Sequence, residues 1–249
     1  MLLHHCTWPE VEAHLKRSTG IIVPIGSTEQ HGPNGLLGTD ALCAEVVARG
    51  VGEAVDALVA PCVAVGMAQH HLGFPGTMTL RPATLIAVVR DMVLSLARHG
   101  FERFYFVNGH GGNIATVTAA FSEVYADLSL ARDGRAQRGV RCRLKNWWDG
   151  PAIKALSGEL FGAAEGSHAT PSEVSLTQFA FPETIKRAAM TPDIAPKGPI
   201  YDALDYRRRF ADGRIGSNPA LASPEAGKRL YEAAVAEVAE DYRQFLAED

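Results

Sequence analysis

The chain has 249 residues, of which 47% are hydrophobic, and a formal net charge of -4. This length allows one large globular domain or two small ones. No basic stripe is present, which argues against nucleic acid as a partner, and no run of about 18 apolar residues predicts a membrane span. The N-terminus lacks the features of a signal peptide, and the four cysteines have no paired spacing. We therefore predict a cytoplasmic protein without disulfides.

Hydrophobic periodicity predicts strands that alternate with helices along the chain. In chain order, we predict a helix at 8–16, a strand at 20–25, a helix at 41–50, a strand at 58–65, a helix at 83–99, a strand at 103–107, a helix at 114–128, a strand at 140–145, a helix from about 171 and a last helix at 224–245. We predict a surface turn at 131–139 and irregular, proline-rich chain at 181–223. This alternation predicts an α/β fold with a mainly parallel sheet and helices on both faces.

The loop after the first predicted strand carries Glu29 and His31, and Asp40 precedes the next helix. Open α/β folds place their sites at this carboxyl edge of the sheet. Two of these residues have structural alternatives, since Asp40 could cap the helix and Glu29 could be a solvated loop residue. A turn rich in glycine and proline gives His31 no evident structural role.

Two later strands also end in candidate site residues. His110 directly follows the strand at 103–107 among glycines, which let a backbone approach a ligand closely. The alternative is a turn that binds phosphate. We predict that Asn113 is a helix N-cap. Trp147 and Trp148 follow the strand at 140–145, and each could belong to the core or to a pocket wall.

Glu173 has two possible roles. Residues 170–173 read Thr-Pro-Ser-Glu, which fits a capping box in which Glu173 accepts a hydrogen bond from the Thr170 amide. Spacing alone favours that structural role. His168 could be a surface histidine, and the loop residues His70 and His71 are candidates only for a pocket lining.

Together, the candidates supply three carboxylates and two imidazoles, from Glu29, His31, Asp40, His110 and Glu173. Zinc binds imidazole and carboxylate, and manganese accepts the same mixture with more oxygen. Three carboxylates and one bridging hydroxide balance the charge of two divalent ions. The set is therefore consistent with a dinuclear hydrolytic centre.

These residues resemble the creatininase (creatinine amidohydrolase) family. The resemblance rests on the segments 26–33, 38–40, 74–77, 108–113 and 216–227, and on His168 with Glu173. It implies one domain over 1–249, a three-layer α/β/α fold, two Zn²⁺ or Mn²⁺ ions and a homo-oligomer, often a hexamer. It also implies cleavage of a non-peptide carbon–nitrogen bond in a small, often cyclic, amide. On this pattern Asp40 would bridge the metals, Glu29 and His110 would complete one site, and His31 would serve the other.

The chain departs from the family pattern at two places. Creatininase itself has a glutamate two positions after the equivalent of His110, where this chain has Gly112. We therefore assign the missing ligand to Glu173, as the Gly-Gly-Asn branch of the family implies. The segment 168–175 keeps the His-to-Glu spacing of the family but not its neighbours. Both departures argue against creatinine itself as the substrate.

The leading hypothesis is amide hydrolysis by a hydroxide that bridges the metals. His168 would donate a proton to the leaving nitrogen, Glu173 would share the catalytic role, and Glu165 is a weaker candidate for a proton shuttle. Flat ligands favour aromatic walls. The predicted substrate-binding residues are Trp147, Trp148 and His70.

Three rival hypotheses remain. The same site could serve a deformylase of a nucleotide-pathway formamide or a peptidase that matures a short peptide. Residues 109–112 could instead form the phosphate loop of a nucleotide-binding module, although the chain lacks both common glycine-rich nucleotide motifs. A metal-free assembly protein is the third rival, and the intact ligand set argues against it.

Overall fold

A computed structural model of the protein describes residues 1–131 and 139–248. The strands are β1 (Gly20–Ile25), β2 (Leu58–Val59), β3 (Arg103–Asn108) and β4 (Arg141–Asn146). The helices are α1 (Trp8–Leu15), α2 (Thr39–Ala54), α3 (Pro82–Ala97), α4 (Asn113–Leu130), α5 (Pro151–Phe161), α6 (Pro171–Ala180), α7 (Ala203–Arg209) and α8 (Pro224–Leu246). The predicted surface turn at 131–139 falls almost wholly outside the described residues.

The strands form one parallel sheet in the order β2-β1-β3-β4. All six residues of β1 are buried, because successive side chains of a strand point to opposite faces and both faces are covered. Ile21 joins a core with Val89 of α3 and Val117 of α4. Ile22 joins a second core with Val47 of α2 and Leu230 of α8. The three-layer α/β/α architecture is therefore confirmed.

Strand register places the candidate site. Ile25 at the end of β1 pairs with Asn108 at the end of β3, and Asn108 pairs with Asn146 at the end of β4. The loops that follow these three strands therefore start side by side at one edge of the sheet.

The second strand was predicted too long. β2 ends at Val59 rather than at residue 65, because Pro61 has no N–H to donate to a ladder. Beyond Pro61 the chain still runs beside β1, where Val63 forms an isolated bridge with Ile25.

Two helices were missed. α5 begins at Pro151, a favoured first helical residue, in a segment where no helix was predicted. α7 interrupts the stretch 181–223 that was predicted to be irregular. The side chain of Asp202 caps α7 by accepting hydrogen bonds from the amides of Leu204 and Asp205, and an aspartate at this position was a usable signal.

The four cysteines are free thiols. Among the described residues, no helix combines the length and apolar character that crossing a membrane requires.

Candidate metal centre

Four segments of the chain deliver the five predicted ligands to the carboxyl edge of the sheet. Glu29 and His31 lie in the loop after β1, and Asp40 lies in the first turn of α2. His110 lies between β3 and α4, and Glu173 lies in the first turn of α6. Parallel strands with short connections make this convergence possible.

Asp40 lies at the centre of the cluster and is only 3% exposed. Its Oδ1 is 2.9 Å from Nε2 of His31, and its Oδ2 is 2.9 Å from Nδ1 of His110. Each carboxylate oxygen therefore faces a different imidazole, which is the arrangement that a ligand shared between two ions requires.

Two groups of potential ligand atoms share Asp40. One contains Glu29, Asp40 and His110, and the other contains His31, Asp40 and Glu173. Within each group the three ligand atoms lie within 4.8 Å of one another. A third such group joins Glu29 and His31 to His168.

The donor set fits divalent cations. Glu29 Oε1 and Asp40 Oδ2 are buried without a hydrogen-bond partner among the described residues. Buried carboxylate oxygens are normally hydrogen-bonded. Imidazole nitrogens lie 2.9 Å from both oxygens, but the two contacts are not aligned as hydrogen bonds. Lone pairs that converge in this way suit Zn²⁺ or Mn²⁺.

The electrostatics also favour positive charge at this place. Burial opposes the charged imidazole, but Asp40 and then Glu173 raise the pKa of His31 to about 10. Burial likewise opposes charge on His110, whose pKa Glu29 and Asp40 raise to about 9. Burial raises the pKa of Glu173 to about 7, partly offset by His31. Without a cation, the ligands therefore tend to hold protons in its place.

The structural alternatives for three residues are wrong. Gly38 rather than Asp40 precedes α2, and Asp40 is the second residue of that helix. Glu29 is fully buried, so it is not a solvated loop residue. Asn113 is the first residue of α4 rather than its N-cap. The Asn113 side chain instead donates to the Gly26 carbonyl and accepts from the Met67 amide.

Glu173 takes part in both predicted arrangements. One carboxylate oxygen accepts the hydrogen bond of the Thr170 amide, and Thr170 accepts from the Glu173 amide, so the capping box is present. The other oxygen lies 3.9 Å from Nε2 of His31. The helix cap orients the carboxylate and leaves one oxygen directed at the cluster.

His168 adjoins the cluster. Its ring centroid lies 4.6 Å from that of His31, and its Nδ1 lies 3.8 Å from Glu29 Oε1. Burial, and then the neighbouring His71, hold the pKa of His168 well below its usual range. The ring is therefore neutral in the absence of a cation.

His71 was predicted only to line the pocket, but the structure places it in contact with the cluster. It is 2% exposed, and its Nε2 lies 2.9 Å from Glu29 Oε1. His70 is only half-buried, and its ring centroid lies 6.5 Å from that of His110. A buried histidine in a loop is a stronger candidate for a site residue than its half-buried neighbour, but burial of adjacent loop residues leaves no periodic signal in the sequence.

A cavity of about 720 Å³ opens beside the cluster. Its walls include Asp40, His110, Trp147, Trp148, Glu165, His168 and Glu173, but not His70. Trp147 is 1% exposed and packs in the core as well, whereas Trp148 is half-buried. Both tryptophans therefore line the cavity, and Trp147 is the one that is also buried in the core.

The glycines around His110 have a packing role. A Cβ added at Gly109 would collide with the backbone carbonyl of Asp40, and one at Gly112 would collide with the His110 ring. Close packing on α2 explains Gly109, and packing against the His110 ring and the Met67 carbonyl explains Gly112, without a bound phosphate.

Proteins of known identity are similar to this chain in sequence. A sequence model of the creatininase family, described as creatinine amidohydrolase, matches residues 4–242. The creatinine amidohydrolase of Pseudomonas putida is 30% identical over 250 residues, which cover 96% of this chain and 94% of that protein. The mycofactocin precursor peptide peptidase of Mycolicibacterium smegmatis is 40% identical over 128 residues, 49% of each chain.

Solved structures share the fold. A crystal structure of creatinine amidohydrolase (creatininase) has a TM-score of 0.87 at 27% identity and covers 100% of this chain and 98% of that chain. A manganese form of creatininase has a TM-score of 0.85 at 26% identity and covers 99% of both chains. A Zn-Zn form of a creatininase mutant has a TM-score of 0.84 at 26% identity and covers 99% of this chain and 98% of that chain. The protein is therefore an amidohydrolase of the creatininase family.

Proposed function

We propose that the protein uses two divalent cations, Zn²⁺ or Mn²⁺, to hydrolyse a carbon–nitrogen bond in a small, often cyclic, amide. The observation that carries this proposal is the position of Asp40, whose two oxygens face separate groups of ligand atoms. Glu29 and His110 would hold one ion with Asp40, and His31 and Glu173 would hold the other.

The chain's own groups supply the remaining chemistry. Bound there, the cations would lower the pKa of water and polarise the substrate carbonyl. His168 would transfer a proton to the leaving nitrogen from its place beside Glu29, and Glu173 would support that transfer. Trp147 and Trp148 would contact the substrate, with Trp148 as the aromatic wall for a flat ligand, whereas His70 lies outside the walls of the cavity beside the cluster.

Metal analysis tests the first half of this proposal. We expect the purified protein to contain close to two Zn²⁺ or Mn²⁺ ions per chain and to lose its turnover in a strong chelator. Added metal should restore the activity. One or no tightly bound ion per chain, with undiminished turnover in chelator, would rule the dinuclear mechanism out.

A substrate screen tests the second half. Hydantoin-like cyclic amides, formamides and short peptides should be compared under identical metal loading. We expect cyclic amides to be cleaved fastest. Rapid release of formate would instead identify a deformylase.

A peptidase is the second candidate, because the mycofactocin precursor peptide peptidase of Mycolicibacterium smegmatis is 40% identical to this chain over 128 residues. That similarity covers only 49% of each chain. Cleavage of short peptides with no activity on cyclic amides would favour it.

We also expect a cytoplasmic homo-oligomer, with a hexamer favoured. Light scattering coupled to gel filtration would measure the molar mass, and a monomeric mass would contradict this expectation.

A further inference from the structure

Gln30 lies between two candidate ligands, yet its side chain points into a group of histidines and is 5% exposed. Its Oε1 accepts a hydrogen bond from the Gly32 amide at 2.9 Å, and its Nε2 donates to the Gly213 carbonyl at 2.9 Å. A backbone N–H only donates and a carbonyl only accepts. These two partners therefore fix which end of the amide is nitrogen.

The backbone carbonyl of Gln30 determines where His168 carries its hydrogen. Nε2 of His168 lies 2.8 Å from that carbonyl oxygen. A carbonyl accepts only, and a neutral imidazole carries one hydrogen. Nε2 is therefore the protonated nitrogen of His168, and Nδ1 presents a lone pair toward Glu29 and His31.

The side-chain amide of Gln30 determines which ring nitrogen of His71 carries the hydrogen. One amide hydrogen goes to Gly213, and Nε2 of His168 cannot accept the second because it carries its own hydrogen. Nδ1 of His71, at 2.9 Å, is a nearer acceptor than the Tyr206 hydroxyl at 3.1 Å. The hydrogen of His71 then lies on Nε2, 2.9 Å from Glu29 Oε1. The ring therefore turns an N–H, not a lone pair, toward this carboxylate, although the contact is not aligned as a hydrogen bond.

We propose that Gln30 is a positioning residue that fixes the hydrogen on Nε2 of His71 through its side chain and on Nε2 of His168 through its carbonyl. His71 then faces Glu29 with an N–H rather than a lone pair, so it does not bind a cation itself. The role in turnover rests on the proposed hydrolase function. In that hydrolysis, Nδ1 of His168 takes a proton from the attacking water as the C–O bond forms, and it gives that proton to the leaving nitrogen as the C–N bond breaks.

Nitrogen NMR of the full chain labelled with ¹⁵N-histidine tests the hydrogen positions directly. The His71 and His168 signals can be assigned by their loss in His71→Gln and His168→Gln. We expect both rings to show a protonated Nε2 and a bare Nδ1, in the metal-free and the Zn²⁺-loaded protein. A hydrogen on Nδ1 of either ring would overturn the proposal.

Gln30→Met keeps the length of the side chain and removes the amide. His71 should then populate both tautomers, whereas His168 should keep its hydrogen on Nε2 because the backbone carbonyl remains. Gln30→Glu places an acceptor opposite Nδ1 of His71 and should draw a hydrogen onto that nitrogen. An unchanged tautomer of His71 in these variants would refute the role of the side chain. If Gln30→Met does not fold, Gln30→Glu alone tests that role.

Metal affinity gives a second measurement. Residues that orient metal ligands typically change affinity or activity by roughly 10- to 100-fold when replaced. We expect Gln30→Met to weaken Zn²⁺ binding by a factor in this range and to lower kcat with little change in KM. Gln178→Met, at a buried glutamine of α6, is the matched control and should change neither. Equal effects of the two substitutions would contradict a specific role.

The two proposals fail separately. The NMR experiment needs no substrate, so a protein that cleaves no amide but shows the expected tautomers would refute the hydrolase mechanism alone. Unexpected tautomers in an active amidohydrolase would refute the positioning role alone.

Discussion

Asp40 contacts His31 through one oxygen and His110 through the other. Both of its oxygens therefore belong to the cluster rather than to the helix cap. Asp40→Asn keeps the shape and removes the charge. We expect kcat to fall by at least about 100-fold, a loss typical of one preorganised charged or polar group in an active site. Metal content should fall below two ions per chain, as measured by mass spectrometry of the metals.

Asp56→Asn is the control for that substitution. Asp56 is exposed and pairs with Arg17 at the surface, an interaction worth at most about 1 kcal/mol. Its backbone φ of 50° is one that asparagine tolerates. Full metal content and activity in Asp40→Asn would contradict the bridging role of Asp40.

His14 is a buried imidazole away from the metal centre. It is 2% exposed, and neither ring nitrogen has a hydrogen-bond partner in the described part of the chain. Burial, and then the nearby charge of Arg17, lower the pKa of His14. The unfolded chain therefore binds the proton more readily, and stability falls as the pH drops below about 6.5, the ordinary histidine pKa.

His14→Leu should remove this penalty. An unsatisfied buried polar group costs about 1–3 kcal/mol, so we expect a gain in the free energy of unfolding at pH 7 near the lower end of that range. The gain should grow between pH 7 and pH 5.5, which urea denaturation at both values would measure. His5→Leu, at an exposed histidine, should change little. Equal gains at both pH values would show that His14 does not carry the pH dependence.

The residues that sequence could identify are those with an unusual local context. His31 and His110 lie among glycines, and Glu29 follows a buried strand, so the local sequence identified them as candidate site residues. His71 differs from His70 only in which way its side chain points, and that depends on Glu29 and Gln30, which are 40 or more residues away in the chain. No local pattern encodes such a contact.

At the level of elements, local signals predicted most helices and the starts of α1, α6 and α8, whereas α2, α3 and α4 begin one or two residues earlier than predicted. α2 and α4 begin at Thr39 and Asn113, so residues predicted to cap a helix lie inside it. That shift of one or two residues matters for the site, because Asp40 does not cap the helix and its carboxylate is free to face the cluster. The capping box at Thr170 was predicted correctly because its spacing is specific.

The loop between β3 and α4 offers a paired test of packing. A Cβ at Gly109 would collide with the backbone carbonyl of Asp40, whereas a Cβ at Gly111 has no atom within 4 Å. Overpacking typically costs about 1–3 kcal/mol. We expect Gly109→Ala to lose stability in this range and Gly111→Ala to be near neutral, as measured by urea denaturation.

The activity of the same two variants separates packing from phosphate binding. Gly109→Ala should also lower turnover, because it displaces Asp40 at the start of α2. If Gly111→Ala destabilised the protein as much as Gly109→Ala, contact with α2 would not explain this glycine loop.

Across the whole molecule, the parallel sheet gathers buried ligands from four distant segments of the chain. Three carboxylates in one buried cluster oppose folding unless positive charge compensates them. The raised pKa values of His31, about 10, and His110, about 9, indicate that protons supply this charge in the metal-free protein. A bound cation would replace them, so folding, metal binding and proton release are coupled.

Zn²⁺ should therefore raise the melting temperature of the metal-free protein. A ligand at 100 times its Kd adds about 2.7 kcal/mol, and each kcal/mol shifts Tm by about 2–4 °C in a domain of this size. We expect a rise of roughly 5–11 °C at pH 7.5 in scanning calorimetry. The rise should shrink at pH 5.5, because Zn²⁺ must displace the protons on these histidines and that displacement becomes harder as the proton concentration rises. Asp40→Asn should show little of this shift at either pH, whereas Asp56→Asn should match the unmodified chain; a shift of the same size in Asp40→Asn would place the stabilising ion elsewhere.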